Sequence, residues 1–226
     1  MPTPRPLAVV TGGSRGLGRS TVVALAKHGV DSIFTYHSNA TEAQKVEGLV
    51  RDALKQFGTD RFDYLVNNAG TSHNKLIAET TEDELDAIYN VHFKGVFFLT
   101  QKLLPLIRDG GRIVNLSSGL TRFAHPGRAT YASMKGAIEV LTRYLAKELG
   151  ARGIAVNTVA PGAIATDFSG GGVRDNPEIN KAVASNTALG RVGQPDDIGP
   201  MIASLLGSEN RWINAQRIEV SGGMYL

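Results

Sequence analysis

Short apolar runs alternate with longer amphipathic stretches along the whole of this chain. Residues 7–10 (Leu-Ala-Val-Val) read as a buried strand, and residues 19–27 as a helix stopped by Gly29. Residues 32–36 read as a second strand, 41–57 as a helix and 62–66 as a third strand. A capping box, Thr81-Glu82-Asp83-Glu84, opens a long helix that carries Asn90 and reaches Leu104, just before Pro105. Strands follow at 112–116 and 154–159, separated by a helix over 129–149. A helix near 195–206 and a strand at 217–220 close the pattern. Strand and helix in alternation predict an α/β fold: a doubly wound, Rossmann-like parallel sheet with helices on both faces, in a single domain spanning 1–226. No repeat is visible, and low complexity is confined to Ser169-Gly170-Gly171-Gly172.

Composition narrows the picture little. A length of 226 residues, 42% hydrophobic and 20% charged, suits one domain with a substantial core. The net charge of +3, with no Lys/Arg cluster, argues against nucleic acid. With no cysteine there is no disulfide and no thiol chemistry, which fits the cytoplasm. The opening residues Met1 to Pro6 lack the apolar core of a signal peptide. The strongest apolar patch, Val96-Phe97-Phe98-Leu99, is far too short to span a bilayer. The five histidines show no metal-ligand spacing, so no metal is expected.

The chemistry begins with Tyr131 and Lys135. Four residues apart, they share one helix face. A phenol with a pKa of about 10 is a poor acid or base near neutrality. A neighbouring ammonium favours the phenolate and brings it into range. Such a pair trades protons with an alcohol or a ketone. Upstream, Thr11-Gly12-Gly13-Ser14-Arg15-Gly16-Leu17-Gly18 lies between a strand and a helix. Glycines there permit a tight turn and close approach to a pyrophosphate, and the helix N-terminus presents free N–H groups to it. Asn67-Asn68-Ala69-Gly70 ends the third strand, and Ser118 lies thirteen residues before Tyr131.

These pieces, with Asn90, Ser117-Ser118, Pro161-Gly162 through Thr166 and the closing Val220-Ser221-Gly222-Gly223, resemble the short-chain dehydrogenase/reductase family almost from end to end. The resemblance implies hydride transfer between NAD(P) and a carbonyl or alcohol. It implies that Tyr131 is the general acid or base, that Ser118 holds the substrate oxygen, and that Lys135 lowers the phenol pKa and holds the nicotinamide ribose. Asn90 is the implied fourth member, keeping a water that links Lys135 to solvent. Implied cofactor contacts are Gly12, Ser14, Arg15, Gly16, Leu17 and Gly18 in the loop. Asn68, Ala69 and Gly70 are implied on the adenine-ribose side, with Pro161, Gly162, Ile164 and Thr166 near the nicotinamide and phosphates. Asn67 is expected to tie neighbouring strands together.

One stretch departs from that family. Between Tyr36 and Asp63 there is room for one crossover helix but not for the further strand, with its adenine-contacting Asp, that the family carries. Either this chain has a true deletion there or a segment near Lys45–Val46 is missing; the second is the expectation, because the helix otherwise joins awkwardly. Cofactor choice is partly legible. The end of the second strand carries Tyr36, His37, Ser38 and Asn39, and no acid to repel a 2′-phosphate, while Arg15 adds a cation. NADP(H) is therefore expected over NAD(H). Residues 167–190 are expected to form a lid over substrate, with Gly119, Leu120, Phe123, His125 and Phe168 on the substrate side. Similarity to 3-oxoacyl-[acyl-carrier-protein] reductases implies a 3-oxoacyl thioester. An NAD-linked alcohol or sugar dehydrogenase and a non-catalytic nucleotide-binding regulator remain as alternatives. Apolar residues on more than one face of the helices after Asn90 and Tyr131 point to a homotetramer or homodimer.

Overall fold

A computed structural model describes residues 5–36 and 43–226. Six strands form one parallel sheet: β1 (Leu7–Val10), β2 (Asp31–Phe34), β3 (Phe62–Asn67), β4 (Ile107–Leu116), β5 (Ala155–Pro161) and β6 (Arg217–Val220), in the order β2-β1-β3-β4-β5-β6. The helices are α1 (Gly16–Lys27), α2 (Ala43–Gln56), α3 (Glu82–Tyr89), α4 (Gly95–Leu103), α5 (Ala129–Glu148), α6 (Gly172–Asp175), α7 (Pro177–Ser185) and α8 (Pro195–Leu206). The chain first winds outward from β1 to β2, then restarts at β3 on the other side of β1. In open α/β sheets, ligands bind in the crevice where the order reverses.

Alternating strand residues feed two cores. Val9, Leu65, Ile113 and Val156 pack with Leu54 of α2, Leu103 of α4 and Leu145 of α5. Val10, Val66, Val114 and Val159 pack with Leu25 of α1 and with Ile198 and Ile202 of α8. Both faces are covered, which is why the strands read as continuous apolar runs rather than alternating ones. Each such side chain, fully buried, contributes about 2 kcal/mol over its exposed state.

A buried polar ladder crosses this core. Asn67 Nδ2 donates to Asn115 Oδ1 at 2.8 Å and to Thr100 Oγ1 at 3.1 Å. Asn115 Nδ2 donates to Thr142 Oγ1 at 2.9 Å, and Thr158 Oγ1 donates to the same oxygen at 2.8 Å. Thr142 in turn donates to the Ile138 carbonyl at 2.8 Å. Asn67 thus ties β3 to β4, as its place in the sequence suggests.

Several boundaries differ from those expected. β2 stops at Phe34, because the Thr35 carbonyl turns to accept the Gly13 N–H at 3.0 Å. β4 starts at Ile107, before a bend at Gly110 (φ 77°) that the glycines disguise as a loop. The single helix expected from Thr81 to Leu104 is instead α3, a π-helical turn at Asn90–Lys94, and α4. α2 runs unbroken through Lys45 and Val46. Val46, Val50 and Leu54 repeat every four residues and all enter the core, so the crossover is a regular helix. Among the described residues the sheet has no strand beyond β2. The lid region holds α6 and α7 rather than irregular chain alone.

Candidate active site

The glycine loop lies at the switch point. Gly12 and Gly16 have left-handed backbones (φ 68° and 53°), which favour glycine. Thr11 Oγ1 accepts the N–H groups of Asn68 and Ala69 at 2.9 and 3.0 Å, and Asn68 Nδ2 donates to the Thr11 carbonyl at 2.8 Å. The loop and the end of β3 are therefore one rigid unit. A Cβ on Gly18 would strike the Gly12 carbonyl and lie 2.6 Å from Asn68 Nδ2, so Gly18 allows α1 to pack closely beneath the loop. A Cβ on Gly16 would stand 3.6 Å from Thr166 Cγ2, which sets Thr166 across from the loop. Arg15, exposed, is the N-cap of α1 and makes no side-chain cap, so no side chain of its own satisfies the first N–H groups of the helix. This cradle fits a dinucleotide pyrophosphate.

Pro161 and Gly162 end β5, with Gly162 N–H on the Val220 carbonyl at 3.1 Å. Ile164 bridges to Gly193, and Thr166 Oγ1 accepts from the Phe168 N–H at 3.1 Å. Tyr36 is exposed at the end of β2. His37, Ser38 and Asn39 lie outside the described residues.

Strand β4 delivers Ser118, whose hydroxyl accepts the Leu120 N–H at 3.2 Å and stands close enough to the Tyr131 phenol to favour its ionised form. Tyr131 and Lys135 share the inner face of α5 and both are buried. Lys135 Nζ donates to the Leu116 carbonyl at 2.7 Å and lies 5.6 Å from the centre of the Tyr131 ring. Burial pushes the Tyr131 phenol up to about 12, opposed by Ser118 and by the charge of Arg128. Burial also draws the Lys135 ammonium down to about 8. Without ligand, burial of the phenol outweighs the groups that lower it, Ser118 and the charge of Arg128.

A residue not expected at the site stands near Asn90. His92, two residues on, is the side chain that reaches Tyr131: the rings meet edge to face, with centres 5.1 Å apart. His92 Nε2 is 2.7 Å from the Thr71 carbonyl and 3.2 Å from the Thr71 N–H, while Nδ1 is buried with no hydrogen-bond partner among the described residues. Burial, and then the charge of Lys135, lower His92 to about 3, so it is neutral. Gly70 makes its room: a Cβ there would lie 2.8 Å from His92 Cε1.

The segment after β5 packs on the same ring. Phe168 packs 5.9 Å from Tyr131, centre to centre. Arg128 donates to Ser169 Oγ and to the His73 carbonyl, each at 3.3 Å. Ser169, Gly170 and Gly171 are successively left-handed (φ 58°, 71° and 77°). His92 and Arg128 escaped the sequence reading. Arg128 stands three residues before Tyr131, at the N-cap of α5. Nothing in the local pattern marks His92.

A glycine loop on a helix N-terminus, with a serine, a tyrosine and a buried lysine across the crevice, defines a nucleotide-dependent oxidoreductase. The chain belongs to the short-chain dehydrogenase/reductase family, whose members act on carbonyl or alcohol groups. A family model described as enoyl-(acyl carrier protein) reductase matches residues 9–225. The 3-oxoacyl-[acyl-carrier-protein] reductase of Staphylococcus aureus is 35% identical, over 97% of this chain and 98% of its own. That alignment runs over 246 positions against a chain of 226 residues, so the relative carries residues that this chain lacks. Among solved structures, the promiscuous reductase LugOII, which catalyses keto-reduction at C1 in lugdunomycin biosynthesis, is 35% identical with a TM-score of 0.92, covering 98% of both chains. The angucycline C-6 ketoreductase LanV, solved with bound NADP, is 30% identical with a TM-score of 0.88, covering 97% of this chain and 95% of its own.

Proposed function

We propose that the chain is an NADP(H)-dependent ketoreductase, a single domain with its lid at 167–190, and that 3-oxoacyl thioesters are its substrate class. The observation that carries the reading is the placing of Ser118 beside the Tyr131 phenol, with Lys135 buried one helical turn on and 5.6 Å from the centre of the Tyr131 ring. The nicotinamide, when bound, supplies the hydride. Ser118 Oγ holds the substrate carbonyl oxygen, and Tyr131 Oη gives that oxygen its proton. Lys135 returns a proton to the phenolate, and neutral His92 backs the pair. The thioester is suggested by the S. aureus relative, and the keto-reduction by LugOII and LanV.

NADP(H) preference is supported by Arg15 at the helix N-terminus and by the absence of an acid at the described end of β2, where Thr35 and Tyr36 stand. LanV was solved with NADP. Fluorescence titration with NADPH and NADH, followed by NADPH oxidation with an acetoacetyl thioester, tests both halves. Arg15→Ala is expected to weaken NADPH binding about tenfold and to leave NADH binding unchanged, as loss of one charge-assisted bond implies. Equal loss for both cofactors would refute the role of Arg15. NADPH binding without turnover on any carbonyl would favour a nucleotide-binding regulator.

Assembly belongs to the same proposal. On the side of α5 away from Tyr131, α4 and α5 form a groove of about 610 Å³ lined by Phe93, Phe97, Val140, Leu141 and Tyr144. Exposed apolar side chains there favour a second copy pairing these helices, toward a homodimer or homotetramer. Light scattering is expected to exceed the monomer mass of 24.1 kDa at micromolar concentration, and a lone monomer peak would refute pairing. Among the described residues no helix is long and apolar enough to cross a membrane. A cytoplasmic location is proposed from the cysteine-free composition.

A further inference from the structure

We propose that Glu139 and Arg217 are positioning residues for Ser118, and that through them the seating of the C-terminal tail sets the reactivity of the site. The proposal rests on the reading of Ser118 as the group that holds the substrate oxygen. Beyond β4 the chain enters a short turn, and side chains from elsewhere hold it there. Glu139 lies one helical turn past Lys135, on the same face of α5. Its Oε1 accepts from Ser117 Oγ at 2.7 Å and from Arg217 Nε at 2.8 Å, and lies 2.7 Å from Thr121 Oγ1. Arg217, from β6, donates through Nη2 to the Ser118 carbonyl at 3.3 Å and to Thr121 Oγ1 at 3.0 Å.

The same guanidinium continues outward. Arg217 Nη1 donates to Glu219 Oε2 at 3.0 Å. Glu219 takes a two-pronged bond from Arg122 at 2.7 and 2.8 Å, and Arg122 also donates to the carbonyls of Met224 and Tyr225. Tyr225 is held in a left-handed backbone (φ 52°), with its N–H on the Asn186 carbonyl at 2.9 Å and its ring 4.7 Å from that of Phe123. A non-glycine residue keeps such a backbone only where its surroundings over-determine it. The tail therefore touches the end of α7 and, through three alternating charges, the carbonyl of Ser118.

The groups involved are mostly shielded, with side-chain exposures of 15% for Glu139, 18% for Glu219 and 25% for Arg217. Shielded ion pairs add little net stability over well-packed apolar side chains. What two-pronged, charge-assisted bonds supply is fixed geometry. Here the geometry fixed is that of the residue beside Tyr131.

The test is a double-mutant cycle in the full chain: Arg217→Met, Arg122→Met and both together. Each single change is expected to lower kcat about tenfold, as a small misplacement does, with KM for the carbonyl and the NADPH affinity changing far less. The pair is expected to lose no more than either alone, because one ladder is cut twice. Glu139→Gln and Arg217→Lys, which keep part of the bonding, are expected to recover part of kcat, and they replace Arg217→Met should it fail to fold. A folded Arg217→Met with unchanged kcat, or losses that multiply in the double variant, would overturn the proposal. Hydrogen exchange of residues 117–123, read without ligand, separates this from the function itself. Faster exchange in both Arg122→Met and Arg217→Met supports the ladder even in a protein that turns over no carbonyl. Exchange as in the unmodified protein overturns the ladder, whatever the activity.

Discussion

Tyr131→Phe is expected to lower carbonyl reduction about 10³-fold while leaving the fold and NADPH binding intact. The change removes one oxygen and keeps the ring. The ring makes the packing contacts: edge to face with His92, beside Phe168, and under the Lys135 ammonium. Ser118 Oγ keeps the Leu120 N–H. The stability cost is then no more than about 1 kcal/mol, that of one hydrogen bond. What disappears is the proton that the carbonyl oxygen must receive. NADPH oxidation in steady state and in a single turnover measures the loss, and fluorescence titration measures the cofactor. A variant within tenfold of the unmodified protein would remove Tyr131 from the chemistry.

The second large effect is one of stability. Lys135 is held at about 8 in the folded chain, against 10.5 for an ordinary lysine. Between those values the unfolded chain carries a proton that the folded chain has released. Stability therefore rises with pH across that window, and below it the full penalty for a buried ammonium remains. Tyr131, held up at about 12, acts in the opposite sense only above about pH 10. Without ligand, unfolding by urea is expected to show a gain of about 2 kcal/mol between pH 7 and pH 9.5. Lys135→Met is expected to flatten that slope, to be more stable by about 2 kcal/mol at pH 7, and to be inactive. A slope unchanged in Lys135→Met would mean that the lysine is not the group responsible. A site that costs stability in this way is one kept for its chemistry.

Much of this was legible in the residues alone, for physical reasons. Strands buried on both faces announce themselves, and all six expected strands are present. The spacing of Tyr131 to Lys135 survives folding because one helix fixes it, as one strand end fixes Ser118. What the residues alone left out shares a cause: each feature depends on something outside its own segment. A π turn adds a fraction of a residue to one helical turn and so rotates every side chain beyond it. No apolar pattern records that, and so nothing marks His92 in the sequence. The phenol's acidity depends on burial by Phe168 and His92, from two other parts of the chain. Arg128 is met by the segment after β5.

The polar ladder from Asn67 to Thr158 bears on how the chain finds its structure. It links β3, β4 and β5, the three strands whose ends present the Asn67-Asn68-Ala69-Gly70 run, Ser118 and Pro161. Apolar side chains tolerate a strand that slides by two residues, since the same faces stay inward. The amides do not: a slid strand would strand Asn67 or Asn115 in the core with no partner, at about 1–3 kcal/mol for each group. Misaligned sheets are thus selected against during folding, before any ligand arrives. The level at which the three strand ends meet is inspected once, in the interior, rather than corrected at the surface.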